Sequence, residues 1–380
     1  MKGLIYYRIN RDDIANVGVL KKCLAQVAAF KNLGVQTDLL LLSDKGILLN
    51  DQLIHHFSSP ILSKATSKYW FFFFNLLPTI SKHIDFNTYD FIYFRYALAH
   101  PALNQFLATA KNKNPVLKVI AEMPTYPYKK EKKSFIDRLS LWMDQHYQKK
   151  LSAYLDGITH YGLESEILGI PTIRITNGIT VHKIPISKSQ PQVKKLRLIA
   201  VANWSYWHGL DRLIEGLKNY YQYENPETLI TLKVIGHGKA IPQYKKLVEK
   251  YSLGEQVDFF PPMTNEALDH HFDHADIGIG TLGIHRKNIT IDASLKHREY
   301  CARGIPFLLA GRDLDFPTHF SFLKKCTPTN EAIELGELIT FWEKYSNSSN
   351  KLEVRKYAEE HLRWEERIKK VITFIKKNNA

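Results

Sequence analysis

TIDASLKHREYCARGIPFLLA, residues 290–310, contains a helical segment, a glycine and a buried strand in one short stretch. The run 305–310 is apolar throughout and follows Gly304, which is typical of a buried parallel strand. The preceding segment, 292–303, has helical spacing, and Gly304 stands where a helix commonly ends. Helices that alternate with buried strands predict an α/β protein.

Lys296 and Glu299 lie three positions apart and therefore project from one face near the start of the predicted helix. A helix N-terminus offers free N–H groups and the positive end of a dipole, which suits a phosphate. Lys296 would add a positive charge, and the Glu299 carboxylate could accept hydrogen bonds from two ribose hydroxyls. An exposed Lys–Glu pair on a helix surface is the alternative interpretation.

The chain has 380 residues, enough for two domains with separate cores. Its formal net charge is +14, and the excess is uneven. Residues 1–190 hold 24 Lys and Arg against 14 Asp and Glu, whereas residues 191–380 hold 28 against 24. We therefore expect the first half to attract an anionic partner, such as nucleic acid, a phospholipid surface or a phosphorylated substrate.

Three widely spaced cysteines, Cys23, Cys301 and Cys326, form no CxxC pair. This usage is typical of a reducing compartment and argues against a structural zinc site. No signal peptide is predicted, because the first residues lead directly into a strand-like run. The longest apolar stretch, 69–77, is too short to span a bilayer. We expect a soluble intracellular protein.

The spacing of apolar residues predicts two consecutive series of strands with intervening helices, and hence two parallel sheets. The strands predicted in this way are 2–7, 35–42, 91–96, 116–121, 157–162 and 172–176 in the first series, and 196–203, 229–236, 256–260, 275–280 and 305–310 in the second. The polar, proline-containing segment 181–195 is predicted to link two domains. In such sheets ligands bind at the carboxyl ends of the strands.

Polar and small residues follow two strands of the second series. Asn203, Ser205, His208 and Gly209 follow the strand 196–203, and Arg212 lies in the first turn of the next helix. Turn donors and an arginine at a helix start suit phosphate, although helix capping and a surface arginine are the alternative.

Glycines follow two further strands of this series. Gly236 and Gly238 would let the backbone approach a ligand closely. The string GIGTLG (278–283) matches GxGxxG, but no helix pattern follows it and no acidic residue ends a strand about 20 residues later, so a dinucleotide site is not predicted.

The first half contributes its own candidates at the ends of strands. Gly18 is expected in the loop after the first strand, Arg95 ends the third, and Glu122 ends the fourth as a substrate-facing carboxylate. An exposed loop acid is the alternative interpretation of Glu122.

Two segments of the first half, 64–82 and 129–150, mix lysines with aromatic residues, which suits adsorption to a membrane surface. Core-facing helices with solvated lysine ends are the alternative. The run of histidines at 270–274 lacks the spacing of a metal motif, and no metal site is predicted.

Several motifs, taken in order and spacing, resemble a known family. They are ITNGI (175–179), ANWSYWHGLDRLIEGL (202–217), VIGHG (234–238), SLKHREYCARGIPFLLA (294–310) and HLRWEERIKKVITFI (361–375). Over essentially its full length the chain resembles GT-B glycosyltransferases of glycosyltransferase family 4 and its bacterial polysaccharide-synthesis relatives. EMPTYPY (122–128) is similar to a subset of capsule and exopolysaccharide enzymes.

The resemblance implies a GT-B fold, in which two Rossmann-like doubly wound domains face each other across a cleft. The first, acceptor-binding domain would comprise 1–180 plus 363–380, and the second, nucleotide-sugar-binding domain 196–362. Glu299 would hold the donor ribose, with Lys296 and the backbone at Ser294 and Leu295 on the diphosphate. The remaining nucleotide contacts would come from Asn203, Ser205, His208, Gly209, Gly236 and Gly238. Catalysis would fall to Glu122, Arg212 and Lys296, and the acceptor side to Gly18, Arg95 and Tyr126.

Two departures from the family pattern bear on these roles. His208 stands where the family usually has the lysine of a Lys-Gly pair, and a neutral imidazole gives one donor and no fixed charge. The first glutamate of the family's Glu-x7-Glu pattern would fall at Ile291, so contact with the transferred sugar would shift to His285, Arg286 or Asp292.

The implied reaction is retaining transfer of a sugar from a nucleotide diphosphate sugar to a hydroxyl, without metal or other cofactor. Basic groups and helix dipoles would stabilise the diphosphate leaving group. Taken with the basic first half, this implies a polyprenyl-diphosphate-linked glycan as acceptor in bacterial surface-polysaccharide synthesis. We expect a cytoplasmic protein in peripheral contact with the inner face of the plasma membrane, with no nucleic-acid partner.

Three other functions are compatible with parts of the sequence. A nucleotide-sugar 2-epimerase has the same architecture but should carry additional paired acids. An inactive sugar-binding homologue would account for Ile291 and His208. A nucleic-acid-binding protein would account for the positive charge, although no recognised motif is present.

Overall fold

A computed structural model describes residues 1–13, 17–57, 74–124, 126, 135–223, 226–263, 266–345 and 348–377. The chain divides into two compact units, residues 1–176 with 364–380 and residues 177–363. Each unit is built on its own sheet. Among the described residues no helix is long and apolar enough to cross a membrane.

The first unit has a nine-stranded sheet in the order β4-β3-β2-β1-β5-β6-β7-β9-β8. Its strands are β1 (Lys2–Asn10), β2 (Gln36–Leu42), β3 (Gly46–Leu49), β4 (Gln52–His56), β5 (Phe91–Arg95), β6 (Lys118–Glu122), β7 (Gly157–His160), β8 (Glu166–Ile167) and β9 (Ile170–Arg174). The central pairs are parallel, and the hairpins at both edges are antiparallel. The edge strands β3, β4 and β8 were not predicted from the spacing of apolar residues.

The helices of the first unit are α1 (Val17–Asn32), α2 (Leu76–Ser81), α3 (Pro101–Lys113), α4 (Phe135–Ser152) and α11 (Trp364–Lys377). The last of these returns to the first unit and packs against α1. A Cβ atom at Gly157 of β7 would lie 2.7 Å from the Phe374 ring, so glycine makes room for α11 there.

The second unit has a six-stranded parallel sheet in the order β12-β11-β10-β13-β14-β15. Its strands are β10 (Lys195–Asn203), β11 (Leu229–His237), β12 (Val257–Phe260), β13 (Ile277–Ile279), β14 (Phe307–Ala310) and β15 (Leu323–Cys326). Its helices are α5 (Leu210–Tyr223), α6 (Ile241–Lys250), α7 (Glu266–Phe272), α8 (Leu295–Ala302), α9 (Leu335–Tyr345) and α10 (Ser348–His361).

Both faces of the second sheet are buried, which explains its continuous apolar strands. On β10, Leu196 and Leu198 belong to a core that includes Leu213 of α5. Ile199, which follows Leu198 and lies on the opposite face, packs in a second core with Tyr300 of α8. The 290–310 stretch therefore supplies both a helix and a strand to this doubly wound unit, as predicted.

The segment 181–195 differs from the expected linker. It begins with a 3-10 turn at Val181–Lys183, and its serines are fixed within the second unit. The Ser187 hydroxyl donates to the carbonyl of Phe272 at 2.8 Å, and the Ser189 hydroxyl lies 3.2 Å from the Asp276 carboxylate. Residues 177–180, assigned to the first domain by sequence, also lie in the second unit. Proline and polarity had suggested a free connector, whereas hydrogen bonds hold this segment.

Candidate functional site

The strand order of the second sheet reverses between β10 and β13, so the loops that follow these strands meet at one edge. Gly209, after β10, has φ +68°, and a Cβ atom there would lie 2.4 Å from the backbone nitrogen of Gly283. The loops touch at this point, where glycine avoids both strain and collision.

The loop after β10 is anchored by the buried side chain of Trp204. Its Nε1 donates to the carbonyl of Ile235 at 3.1 Å. Gly238, with φ +140°, leaves room for this loop, since a Cβ atom there would lie 2.2 Å from the Trp204 carbonyl. Gly236 likewise passes close to the carbonyl of Ala202. Gly236 and Gly238 are therefore needed for packing of this loop, and not only for approach to a ligand as the sequence suggested. Asn203 is exposed at the end of β10.

Ser205 and His208 form a reciprocal cap around the turn Tyr206–His208. The backbone N–H of Ser205 donates to Nδ1 of His208 at 2.9 Å, while the Ser205 carbonyl is farther from that nitrogen, at 3.2 Å. Because an N–H group can only donate, Nδ1 is unprotonated and the proton lies on Nε2. Burial, followed by the charge of Lys296, lowers the pKa of His208 to about 3. His208 is a neutral donor.

Helix α8 begins beside this loop, and Asn177 fixes its entry. The Asn177 amide donates to the carbonyl of Ala293 at 2.7 Å. Ser294 occupies the N-cap position, but its side chain makes no capping hydrogen bond. The buried Ser294 Oγ has no partner among the described residues. Leu295 opens the helix, so the free N–H groups of its first turn follow Ser294 directly.

Three more buried polar atoms near the start of α8 lack a hydrogen-bond partner in the described part of the chain: Lys296 Nζ, Asp292 Oδ2 and His297 Nε2. Burial lowers the pKa of Lys296 to about 8, against the opposing charge of Asp292. Burial alone would raise the pKa of Asp292, but His297, Thr281 and Lys296 together hold it below its ordinary value. Buried polar groups are nearly always paired in folded proteins, so this cluster indicates a ligand site.

Glu299 lies one turn after Lys296 and is a quarter exposed. Both hydrogen bonds from Arg303 go to its Oε1, at 3.1 and 2.9 Å. The structure thus places Leu295, Lys296 and Glu299 on α8, and Asp292 and Ser294 in the segment that leads into this helix.

Arg212 and Arg286 are corrections to the sequence analysis. Arg212 is buried, with Nε donating to the carbonyl of Glu331 at 2.7 Å and Nη1 to the carbonyl of Leu282, so it ties loops together and does not offer itself to phosphate. Arg286 pairs through both Nη atoms with Asp211, at 2.9 and 2.7 Å. These guanidinium groups have internal partners that a sequence pattern does not reveal.

His285, the neighbouring sugar candidate, is partly engaged. Its Nε2 lies 3.0 Å from Oδ1 of Asn330, while its buried Nδ1 has no partner among the described residues. Of the three candidates for sugar contact, Asp292 is the one whose carboxylate belongs to the cluster around Lys296.

Glu122 is also a correction, because its side chain is fully buried in the first unit. It is ion-paired with Lys22 and accepts a hydrogen bond of 2.7 Å from the Tyr7 hydroxyl. Burial would raise the pKa of Glu122, but Lys22 and then Arg95 outweigh it and lower the pKa to about 2. The carboxylate thus joins β6 to β1 and α1 and has no exposed surface to offer a substrate.

The other first-unit candidates lie in different places. Arg95 ends β5 with a third of its side chain exposed and lies 3.9 Å from Glu122. Tyr126 packs edge-on against His160. Gly18 is exposed in the first turn of α1, where sequence analysis expected a loop.

Sequence reasoning missed His297 and Trp204 in the second unit. Both stand inside motifs that the sequence analysis quoted, but neither residue was assigned a role there. The GIGTLG string explains part of this arrangement. A Cβ atom at Gly278 would lie 2.5 Å from the Tyr300 ring, and one at Gly280 would lie 2.7 Å from Nε2 of His297. The glycines admit the side chains of α8.

Within the described ranges, no group of three or more His, Cys, Asp and Glu side chains is arranged to hold a metal ion. The histidines at 270–274 pack on one another and on Phe260 instead.

Comparisons with known proteins identify the fold. No protein-family model matches the chain, and no curated protein sequence does. Among solved structures, HepE of Anabaena in complex with UDP is 12% identical, with a TM-score of 0.60 over 99% of this chain and 100% of that one. Sucrose-phosphate synthase of Thermosynechococcus elongatus is 11% identical, with a TM-score of 0.64 over 99% and 98%. WaaG, a glycosyltransferase involved in lipopolysaccharide biosynthesis, is 14% identical, with a TM-score of 0.58 over 98% and 100%.

These proteins share the GT-B fold with this chain. The predicted fold class, two Rossmann-like units with parallel sheets, is confirmed.

Proposed function

We propose that the second unit binds a nucleotide diphosphate sugar and that the protein transfers the sugar to a hydroxyl group. The observation that carries this proposal is a cluster of buried polar atoms at the start of α8 that find no hydrogen-bond partner in the described ranges: Lys296 Nζ, Ser294 Oγ, Asp292 Oδ2 and His297 Nε2. The fold supports it, since HepE was solved with UDP and also with UDP-glucose. Membership of glycosyltransferase family 4 stays a prediction.

The diphosphate would lie at the N-terminus of α8. The free N–H groups of the first turn, the Ser294 hydroxyl and the Lys296 ammonium are donors that converge there. His208 would add a neutral Nε2–H from the facing loop. With Arg212 engaged elsewhere, Lys296 becomes the principal cation on the leaving diphosphate, which is where negative charge develops during transfer.

The nucleoside and the sugar would lie on opposite sides of the diphosphate. Glu299 keeps its Oε2 clear of the Arg303 hydrogen bonds, so this oxygen can accept from ribose hydroxyls. Asp292 would accept hydrogen bonds from hydroxyls of the transferred sugar. In the family pattern a glutamate has this role, and Ile291 stands at its position here. The transfer would be retaining. It would need no metal, because protein donors would neutralise the charge of the diphosphate.

For the acceptor we propose a lipid-linked glycan, reached by peripheral contact with an anionic membrane in bacterial surface-polysaccharide synthesis. The support lies on the outer face of α4. Trp142 is 63% exposed and Leu139 is 39% exposed, and the exposed cations Arg138, Lys149 and Lys150 lie on the same helix. An exposed indole among cations suits the boundary of lipid headgroups. The lysines at 129–133 lie outside the described residues.

The deciding experiment incubates the protein with UDP- and GDP-linked sugars, with and without a polyprenyl-diphosphate-linked glycan, and measures the released nucleotide. Acceptor-dependent release of one nucleotide is expected. An epimerised nucleotide sugar without acceptor would indicate a 2-epimerase. Tight binding without release would indicate an inactive sugar-binding protein, and absence of both binding and release would refute the proposal.

A further inference from the structure

His297 is a fully buried histidine in the first turn of α8. Its imidazole stacks on the Phe307 ring, with centroids 5.6 Å apart and planes 16° from parallel. Gly280 lies against the edge of the imidazole, where a Cβ atom would be 2.7 Å from Nε2. Phe307 of β14 and Gly280, which directly follows β13, therefore fix the plane of the ring.

One nitrogen of the His297 ring is held by a rigid carboxylate. Nδ1 lies 2.9 Å from Oδ2 of Asp313. Arg298 pairs with both oxygens of Asp313, through Nη2 at 2.8 Å to Oδ1 and through Nη1 to Oδ2. The Nε of Arg298 in turn donates to the carbonyl of Asn177 at 3.0 Å. Since the Asp313 carboxylate accepts, Nδ1 carries a proton.

The other nitrogen points towards the site. Nε2 of His297 lies 3.8 Å from Oδ2 of Asp292. Both atoms are buried and have no hydrogen-bond partner among the described residues. The Thr281 hydroxyl hydrogen-bonds the Asp292 carboxylate, and the Asp292 backbone N–H donates to the carbonyl of Arg312 at 2.8 Å. Thus the backbone of Asp292 is fixed, while one carboxylate oxygen is free to be oriented.

We propose that His297 is a positioning residue for the donor sugar, acting through Asp292. In this arrangement each ring nitrogen donates to one carboxylate, Nδ1 to Asp313 and Nε2 to Asp292, and a small shift of Asp292 would close the distance between Nε2 and Oδ2 to that of a hydrogen bond. Asp292 then keeps its remaining lone pairs directed at the sugar hydroxyls. Arg298 and Asp313 fix the position of the His297 ring, and His297 fixes the orientation of the Asp292 carboxylate towards the sugar. This inference rests on the proposed function.

Two substitutions separate the two nitrogens of the ring. The amide of His297→Asn can replace Nδ1–H towards Asp313 but cannot reach Asp292. The amide of His297→Gln can extend to the position of Nε2. The readouts are the dissociation constant of the nucleoside diphosphate, UDP or GDP, and kcat and KM with the nucleotide sugar that the release assay identifies.

We expect His297→Asn to bind the nucleoside diphosphate within about twofold of wild type and to lose about 10- to 100-fold in kcat/KM. His297→Gln should recover part of this loss. In an Asp292→Asn background the His297→Asn substitution should cost little more, because both act on one contact. Equal losses in both backgrounds, or an equal loss in diphosphate binding, would overturn the inference.

The test remains decisive if His297→Asn does not fold. The same cycle is then run with His297→Gln, and additivity with Asp292→Asn again overturns the role. A wild-type protein that neither binds nor turns over any nucleotide sugar refutes the proposed function itself, whereas an active wild type with an additive cycle refutes only the role of His297.

Discussion

The Nζ atom of Lys296 lies 5.6 Å from the centroid of the Trp204 ring. An ammonium over an indole face is attracted by the π electrons, and it keeps all three of its hydrogens for another partner. Trp204 is buried and anchored to β11, so it holds the cation where the first turn of α8 opens. This relationship makes Lys296 the most informative residue to change.

Replacing Lys296 with methionine should weaken the binding of a nucleoside diphosphate about 10- to 100-fold. Methionine keeps an apolar stem near the indole but removes the charge, and a charge-assisted hydrogen bond contributes about 1.5–3 kcal/mol. Calorimetric titration with UDP and GDP measures the effect. Lys356→Met, at a lysine that is 73% exposed on α10, is the matched control and should change nothing. Wild-type affinity in Lys296→Met would remove the lysine from the site.

The affinity for nucleoside diphosphate should depend on pH through the same lysine. The pKa of Lys296 is about 8 in the free protein, and a bound diphosphate stabilises the ammonium and raises this pKa. Below pH 8 the affinity should be nearly constant. Above pH 8 binding must take up a proton, so affinity should fall by up to about tenfold per pH unit.

Dissociation constants measured between about pH 7.5 and 9.5 test this, with Lys296→Met as the control that lacks the titrating group. A wild-type affinity that is flat over this range, or a variant that shows the same slope, would contradict the assignment.

Glu122→Gln should destabilise the first unit without abolishing nucleotide binding in the second. Removing one partner of a buried ion pair commonly costs about 3–5 kcal/mol, because the other charge is left unpaired. Urea unfolding measures the loss, and Glu166→Gln, an exposed acid of the same unit, is the control. A variant that keeps wild-type stability and loses only turnover would restore the catalytic role that the structure argues against.

The Glu122 carboxylate also predicts how the free energy of unfolding changes at acidic pH. Its pKa is about 2 in the folded protein, against an ordinary value of 4.5. A depressed carboxyl pKa stabilises the fold above the ordinary value and loses that stabilisation as pH falls from 4.5 towards 2. The free energy of unfolding should therefore fall less steeply across this range in Glu122→Gln than in wild type. Parallel curves would show that Glu122 contributes nothing to acid sensitivity.

Activity should be independent of divalent metal. The donors at the start of α8 can neutralise a diphosphate, and an excess of chelator should leave the rate of transfer within about twofold. The measurement is nucleotide release before and after chelation. Loss of activity that magnesium or manganese restores would show that the protein donors do not suffice.

The outer face of α4 should determine membrane adsorption. Combined replacement of Leu139 and Trp142 by alanine should reduce flotation with anionic liposomes at low salt, since both side chains are exposed and apolar. Leu352→Ala, at a leucine that is 64% exposed on α10, is the matched control. Wild type that stays at the bottom of the gradient, or a double variant that floats as well as wild type, would favour a soluble acceptor.

Periodicity predicted the fold because its signal repeats along the chain. Buried parallel strands such as β10 and β14 are apolar throughout, and helices with one apolar face separate them, so the α/β class follows from many residues at once. The short edge strands β3, β4, β8 and β15 were missed, because two to five residues carry too little pattern to distinguish a strand from a loop.

The individual side chains were harder to assign than the fold. Lys296 and Arg212 both stand at helix starts after strands. The Lys296 ammonium has no hydrogen-bond partner in the part of the chain that the structure describes, whereas Arg212 donates to the carbonyls of Glu331 and Leu282. Glu122 ends a strand, the position expected of a catalytic acid, but Lys22, distant in sequence, pairs with it. Partners that are remote along the chain decide such roles, and a single sequence does not indicate them.

The return of α11 to the first unit has a consequence for biosynthesis. Residues 177–363 are contiguous, so the second unit can complete its fold as soon as it leaves the ribosome. The first unit begins to emerge earlier, but its helix α1 and strand β9 cannot pack against α11 until residues 364–377 are made. The part of the protein that is synthesised first is therefore the part that matures last.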